Sequence, residues 1–243
     1  MEEKQIKSVF VIYMKILFAW DFHGVLEKGN EYAVQETCNR ILKDFGKTRR
    51  ITLKETLDWY GISWYQYYKK LCPETSDKEI REMVEKDLEI GMIATEKFMK
   101  PMDYAVEVLN EIKQNGNSNI IISNSRPEDI KNFLKVIGIS TLVDDYSGVP
   151  KEKEYGNLCI TTHKGHVLRD YAKKHGFSKI VMIGDKETDV EAGNIAGATT
   201  FRFVNKDLLL DEEIIHKIRK ESKADYVITD LREVLGFLNG PMV

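Results

Sequence analysis

Apolar positions along this chain follow two rhythms, and the two are segregated. Residues 16–20 (ILFAW) form an unbroken nonpolar run of the length and composition of a buried parallel strand, and the run stops at Asp21. From about 30 to 100 only helical spacing is found. It predicts helices over 31–45, 53–60, 63–71 and 77–97, broken at Gly46, Gly61 and Pro73, with no strand alternation. After Pro101 the rhythms alternate. Helices are predicted over 102–114, 127–137, 164–175, from 187, near 211–220 and to about 238, and strands over 119–122, 179–183, 199–204 and 226–228. Repeated strand–helix units imply an α/β fold with a doubly wound, mostly parallel sheet and right-handed crossovers. The expected division is an α/β core from 1–29 and 100–243, interrupted by an all-helical domain over 30–99.

Two predicted strands end in carboxylates. Asp21 is the first residue past the 16–20 run, at the sheet edge where open α/β folds place their ligands, and Gly24 allows a sharp turn after it. The 179–183 strand leads through Gly184 to Asp185 and Asp189, a spacing of four that one helix face can share. Mg²⁺ is usually held by one or two carboxylates together with water and substrate phosphate, so the clusters suggest phosphate chemistry around a shared hard cation. Either cluster alone is equally readable as a helix cap or turn.

Four ordered motifs, from about Lys15 to about Gly236, give the chain its resemblance to the haloacid dehalogenase (HAD) superfamily of phosphotransferases. Asp21-Phe22-His23-Gly24-Val25 resembles the opening signature, with Asp21 at the nucleophile position. Ser123, after the 119–122 strand, is similar to the hydroxyl residue that hydrogen-bonds the transferring phosphoryl group. Lys164, in His163-Lys164-Gly165, corresponds to the lysine that steadies the nucleophile. Gly184-Asp185-x-x-x-Asp189 resembles the acidic metal motif. The resemblance implies a Rossmann-like core, a helical cap inserted after the first motif, and Mg²⁺ held by Asp21, Asp185, Asp189 and the backbone carbonyl of His23. It further implies hydrolysis of a small phosphorylated metabolite through an aspartyl-phosphate on Asp21. Ser123, Asn124 and Lys164 would then contact substrate.

His23 departs from the pattern, because phosphatases of the family usually carry a second aspartate there as acid and base. An imidazole with a reference pKa of about 6.5 is able to serve instead, and such help is typically worth about 10²–10⁴-fold. The departure leaves two alternatives open. One is phosphonatase or phosphomutase chemistry; a phosphonatase needs a cap lysine, and Lys43, Lys47, Lys54, Lys69 and Lys70 are candidates. The other is a non-catalytic protein that binds a phosphometabolite. Metal-free dehalogenation is disfavoured, since dehalogenases of the family lack the Gly-Asp-x-x-x-Asp pattern.

Composition narrows the partners. A net charge of −3 without a basic block gives no reason to expect nucleic acid. The run 9–20 is too short to span a bilayer and lacks a small-residue cleavage site, so neither a membrane anchor nor a signal peptide is expected. Residues 1–13 read as an extension that the core does not require. Cys38, Cys72 and Cys159 are widely spaced and read as reduced thiols of a cytoplasmic protein, monomeric or homodimeric. The aromatic cluster Trp59, Tyr60, Trp64, Tyr65, Tyr67 and Tyr68 is read first as the packed interior of the helical insert and second as a substrate surface. Arg126 is read as a helix start, Lys186 as a surface residue, and His163 and His166 as structural or surface groups.

Overall fold

The computed structural model describes residues 15–59, 61–149, 160–208 and 212–239. The 1–13 extension, Tyr60 and Cys159 lie outside the described residues.

A six-stranded parallel sheet organises the core. Its strands are β1 (Ile16–Trp20), β4 (Ser118–Ile122), β5 (Asp145–Ser147), β6 (Lys179–Gly184), β7 (Thr199–Phe203) and β8 (Tyr226–Ile228), in the order β5-β4-β1-β6-β7-β8. β1 lies between β4 and β6, with Trp20 level with Ile121 and Ile183. The chain leaves β1 toward β4 and β5 on one side and later adds β6, β7 and β8 on the other. The carboxyl ends of β1, β4 and β6 therefore flank the point where strand order reverses, which is where this architecture opens a crevice.

The unbroken apolar run of β1 has a direct cause: both of its faces are covered. Phe18 and Trp20 belong to one buried cluster, with Val108 and Leu109 of helix α5 (Ala105–Gln114) and Phe133 of helix α6 (Pro127–Val136). Leu17 and Ala19 belong to a second, with Leu168 and Ala172 of helix α7 (Ile160–His175) and Ala196 of helix α8 (Glu187–Ala196). Helix α9 (Glu212–Glu221) and a 3₁₀ helix (Leu231–Asn239) complete the described core.

The insert consists of α1 (Asn30–Asp44), α2 (Leu53–Asp58), α3 (Trp64–Leu71) and α4 (Asp77–Phe98), which enclose a hydrophobic cluster of their own. Ile41, Leu42, Tyr67, Tyr68, Ile80 and Met83 are buried in it, and Trp59, Trp64 and Tyr65 pack around it. The interior reading of the aromatic cluster thus describes Tyr67 and Tyr68 well. No described helix is long and apolar enough to cross a membrane. Cys38 and Cys72 are buried and unbridged.

Several elements differ from the sequence expectation for identifiable reasons. β5 was not anticipated: its sequence, Asp145-Tyr146-Ser147, is polar and partly exposed because it lies at the sheet edge. α5 begins three residues after the predicted start at 102, because Tyr104 adopts a left-handed conformation (φ 65°) at its N-cap. A short antiparallel ribbon, β2 (Glu27–Lys28) with β3 (Lys100–Pro101), joins the insert to the core at both crossings. Lys28 fastens this ribbon to the core, its Nζ donating to Asp103 at 2.8 Å and to Asp207 at 3.1 Å.

Gly29, between β2 and α1, has φ 95°, and a Cβ there would stand 2.3 Å from the Phe98 carbonyl oxygen. Gly46 has a similar φ of 68° with no described neighbour near such a Cβ. Gly29→Ala is expected to destabilise the protein by about 2 kcal/mol or more, and Gly46→Ala by only about 1 kcal/mol. Urea unfolding of the two variants measures the difference, and equal losses would contradict close packing at the ribbon.

Candidate active site

Asp21, at the end of β1, and Ser123, at the end of β4, are both buried. They open on one cavity of about 200 Å³, which is also lined by His23, Asn124, Lys164, Asp185 and Asp189. Asp21, His23, Ser123, Asn124, Lys164, Asp185 and Asp189 thus meet in a single space, although Asp21 and Lys164 are 143 positions apart.

Lys164 is the centre of the cluster. Its Nζ donates to Asp21 Oδ1 at 2.7 Å and to Asp189 Oδ1 at 2.8 Å, and its side chain is 5% exposed. Burial opposes the charge of Lys164, but the Asp189 and Asp21 carboxylates outweigh it and hold the ammonium above the ordinary lysine pKa. Carboxylate oxygens of Asp21, Asp185 and Asp189 all lie within 4.8 Å of one another. One lysine cannot offset three carboxylates. Burial, followed by the Asp189 and Asp21 charges, pushes Asp185 up to about 8. Asp189 is also raised, by burial first and by Asp21, with Lys164 opposing. An all-oxygen donor set with excess negative charge fits a hard divalent cation such as Mg²⁺.

The acidic pair does not share a helix face as the spacing suggested. Asp185 belongs to the loop after β6, and only Asp189 lies in α8. The two converge because α8 starts hard against the strand end: a Cβ on Gly184 would fall 2.2 Å from Asp189 Cβ. Asp189 Oδ2 also accepts the Lys186 N–H at 3.3 Å, which closes the turn.

His23 is held at both ring nitrogens. Nδ1 is 2.9 Å from Glu27 Oε1, and Nε2 is 3.0 Å from Ser125 Oγ. Glu27 is 1% exposed and also accepts the N–H groups of Gly24 and Asn30, each at 3.3 Å. As an acceptor on all these contacts it selects the tautomer in which Nδ1–H donates, leaving Nε2 to exchange a proton toward Ser125. The ring is edge-on to Phe22 and Phe133, both at 5.2 Å between centroids. Ser123 Oγ accepts the Ser125 N–H at 3.2 Å.

Glu27 and Ser125 escaped the sequence reading. A carboxylate four residues after His23, in a segment too short to register as a strand, was the only available signal for Glu27. Lys186, read as a surface residue, lines the cavity. Arg126 caps α6 and forks onto Asp129 at 2.6 and 2.8 Å, as a helix-start residue does. His166 is exposed, and neither it nor His163 lines the cavity.

Residues 18–203 match the sequence profile of the haloacid dehalogenase-like hydrolases. The chain belongs to that family. Among solved structures, a predicted phosphoglycolate phosphatase from Haemophilus somnus superposes with a TM-score of 0.71 at 16% identity, covering 91% of this chain and 96% of its own. A haloacid dehalogenase-like family hydrolase from Streptococcus pneumoniae gives 0.69 at 16% identity, covering 92% and 98%. A predicted phosphatase from Clostridium acetobutylicum gives 0.68 at 15% identity, covering 94% and 100%. At these identities the likeness is one of fold, an α/β core with an inserted helical cap. None of the curated proteins compared with the chain matches it.

The raised Asp185 has a consequence for stability. An unfolded aspartate loses its proton near pH 4, whereas folded Asp185 keeps it to about 8. Its contribution to stability is therefore fully present at acid pH and lost as pH rises through about 8. In chelator, the melting temperature of the wild type should fall as pH rises from roughly 5 to 9, and Asp185→Asn should flatten that fall. Parallel curves for the two proteins would contradict the crowding of the three carboxylates.

Proposed function

We propose that this family member is a Mg²⁺-dependent phosphatase that hydrolyses a small phosphorylated metabolite by two in-line displacements on Asp21. The observation that carries the reading is the cluster at the sheet edge, where Lys164 bridges Asp21 and Asp189 beside Asp185. Asp21, Asp185, Asp189 and the His23 carbonyl would hold the cation. When bound, it would supply positive charge to the equatorial oxygens of the phosphoryl group.

The chain's own groups account for the rest. Lys164 pins the Asp21 carboxylate through Oδ1, which orients Oδ2 for attack on phosphorus. The transition state is loose, with charge spread over the equatorial oxygens, so the ammonium of Lys164 and the hydroxyl of Ser123 stabilise it by position. His23, as imidazolium, gives the Nε2 proton to the departing alkoxide. In the second displacement neutral Nε2 takes a proton from the attacking water, phosphate leaves, and the Asp21 carboxylate is restored. Glu27 holds the ring through Nδ1 and so fixes the direction in which Nε2 points. His23 with Glu27 thereby replaces the single carboxylate usual in the family, and the insert over 30–99 serves as the cap that excludes water.

Phosphonatase chemistry is disfavoured by the positions of the candidate lysines. None of Lys43, Lys47, Lys54, Lys69 and Lys70 lines the cavity, and three are engaged elsewhere, with Glu79, Asp58 and Asp77 respectively for Lys47, Lys54 and Lys69. The protein names among the fold relatives, phosphatases in two of the three cases above, agree with phosphomonoester hydrolysis.

Phosphate release from an aryl phosphate, with and without Mg²⁺, tests the reading. Asp21→Asn is expected to lower kcat by roughly 10³-fold or more. His23→Gln is expected to lower it by about 10²–10⁴-fold, and His23→Asp to change the pH–rate profile between about pH 5 and 9. Turnover near wild type in Asp21→Asn would sink the mechanism. Transfer of the phosphoryl group to a second hydroxyl, without phosphate release, would indicate a mutase.

A further inference from the structure

The cavity has two chemically distinct ends. The core end carries Asp21, Asp185 and Asp189 against Lys164 and Lys186. The opposite wall comes from the insert, chiefly Ile62, Ser63, Trp64, Gln66 and Tyr67, and among the described lining residues the insert contributes no charged side chain. Tyr67 donates its hydroxyl to the Thr56 carbonyl at 3.3 Å, so it shows the cavity a ring. The Trp64 ring lies 5.5 Å from it, and the two form one aromatic surface.

Asn124 stands where the two ends meet. Its Oδ1 is fully buried and accepts no hydrogen bond from any described residue. Its Nδ2 lies 3.7 Å from where a Cβ of Gly61, in the turn before α3, would sit. A buried acceptor without a donor is unfavourable, and a ligand that supplies the donor recovers that loss. A hydroxyl is suited to this place, since it donates to the amide oxygen and accepts from the amide nitrogen.

Charge limits the leaving group further. With the His23–Glu27 pair neutral overall, three carboxylates against two lysines and one divalent cation leave a single positive charge, which a phosphate dianion reverses. A second anionic group would enter a negative cavity and lose its water against aromatic rings and neutral polar groups. Size sets the last bound. The cavity, about 200 Å³, is smaller than the roughly 300–1,000 Å³ of sites that take drug-sized ligands, so phosphate leaves room for a compact organic group only.

Building on the phosphatase reading, we infer that the substrate is the monophosphate of a small neutral polyol, a sugar or sugar alcohol. Its carbon face lies on Trp64, beside the edge of Tyr67, and one hydroxyl hydrogen-bonds the Asn124 amide once that side chain turns to meet it. Monophosphates carrying a carboxylate, a second phosphate or a nucleobase are excluded by charge or size.

The test compares kcat/KM for p-nitrophenyl phosphate, glycerol phosphate, hexose monophosphates, phosphoglycolate, a hexose bisphosphate and AMP. Glycerol phosphate or a hexose monophosphate should exceed the last three by about tenfold or more. Aryl phosphate hydrolysis with phosphoglycolate, the bisphosphate or AMP preferred would overturn the inference and leave the phosphatase reading standing. Absence of phosphate release from every compound would overturn the phosphatase reading. The leaving group is then decided by tryptophan fluorescence titration of Asp21→Asn with the same non-aryl compounds, where a preference for the anionic or nucleotide ligands overturns the inference. Two variants address the residues. Asn124→Leu should reduce kcat/KM for the preferred polyol phosphate, relative to p-nitrophenyl phosphate, by about tenfold or more. Gln66→Arg should move the ratio of phosphoglycolate to polyol phosphate upward. An unchanged ratio in both variants would count against the assignment.

Discussion

Three carboxylates whose oxygens lie within 4.8 Å of one another, with one buried ammonium between two of them, set the terms for the whole site. Such a cluster is costly in a metal-free protein, as the raised Asp185 and Asp189 show. It persists because the surroundings leave the side chains no alternative place. Asp21 emerges from a strand buried on both faces, Asp189 is pressed against Gly184 by α8, and Lys164 is locked in α7 with its ammonium buried. The packing of β1, β6, α7 and α8 is what holds this otherwise repulsive arrangement together.

The insert is built on a different principle. It has its own apolar cluster and meets the core through the β2–β3 ribbon, which Lys28 and Gly29 fix in place. Its contribution to the cavity is a wall of rings and neutral polar groups. The charged side chains of the cavity therefore come from the α/β core, and its neutral wall comes from the insert. His23 and Glu27 sit at the boundary between them, immediately before the first crossing.

Much of the core was legible in the chain because burial on both faces writes a strand as a continuous apolar run. The runs at β1, β4 and β6 gave their own ends, and with them the positions of Asp21, Ser123 and Asp185. The edge strand β5 left no such trace, since a polar three-residue segment pairs through its backbone alone. The start of α5 was misplaced because nothing about Tyr104 announces a left-handed backbone. The aromatic residues of the insert were read together as its packed interior, and helical spacing could not show that Trp64 and Tyr67 also line the cavity.

The sequence by itself determined the family, the α/β core with its helical insert, and the identity of the residues that carry charge at the site. These are encoded locally, in runs, breaks and motif spacings that do not depend on distant contacts. Only the tertiary structure decided how those residues act on one another. That Lys164 pairs with Asp21 and Asp189, that Glu27, four residues on, and the distant Ser125 hold the two nitrogens of His23, and that Asn124 Oδ1 is left without a donor follow from side chains being packed against a common sheet edge. Hydrogen bonds act over a few ångströms and Coulomb energy varies inversely with separation, so both are fixed by distance in space, which the order of residues does not contain.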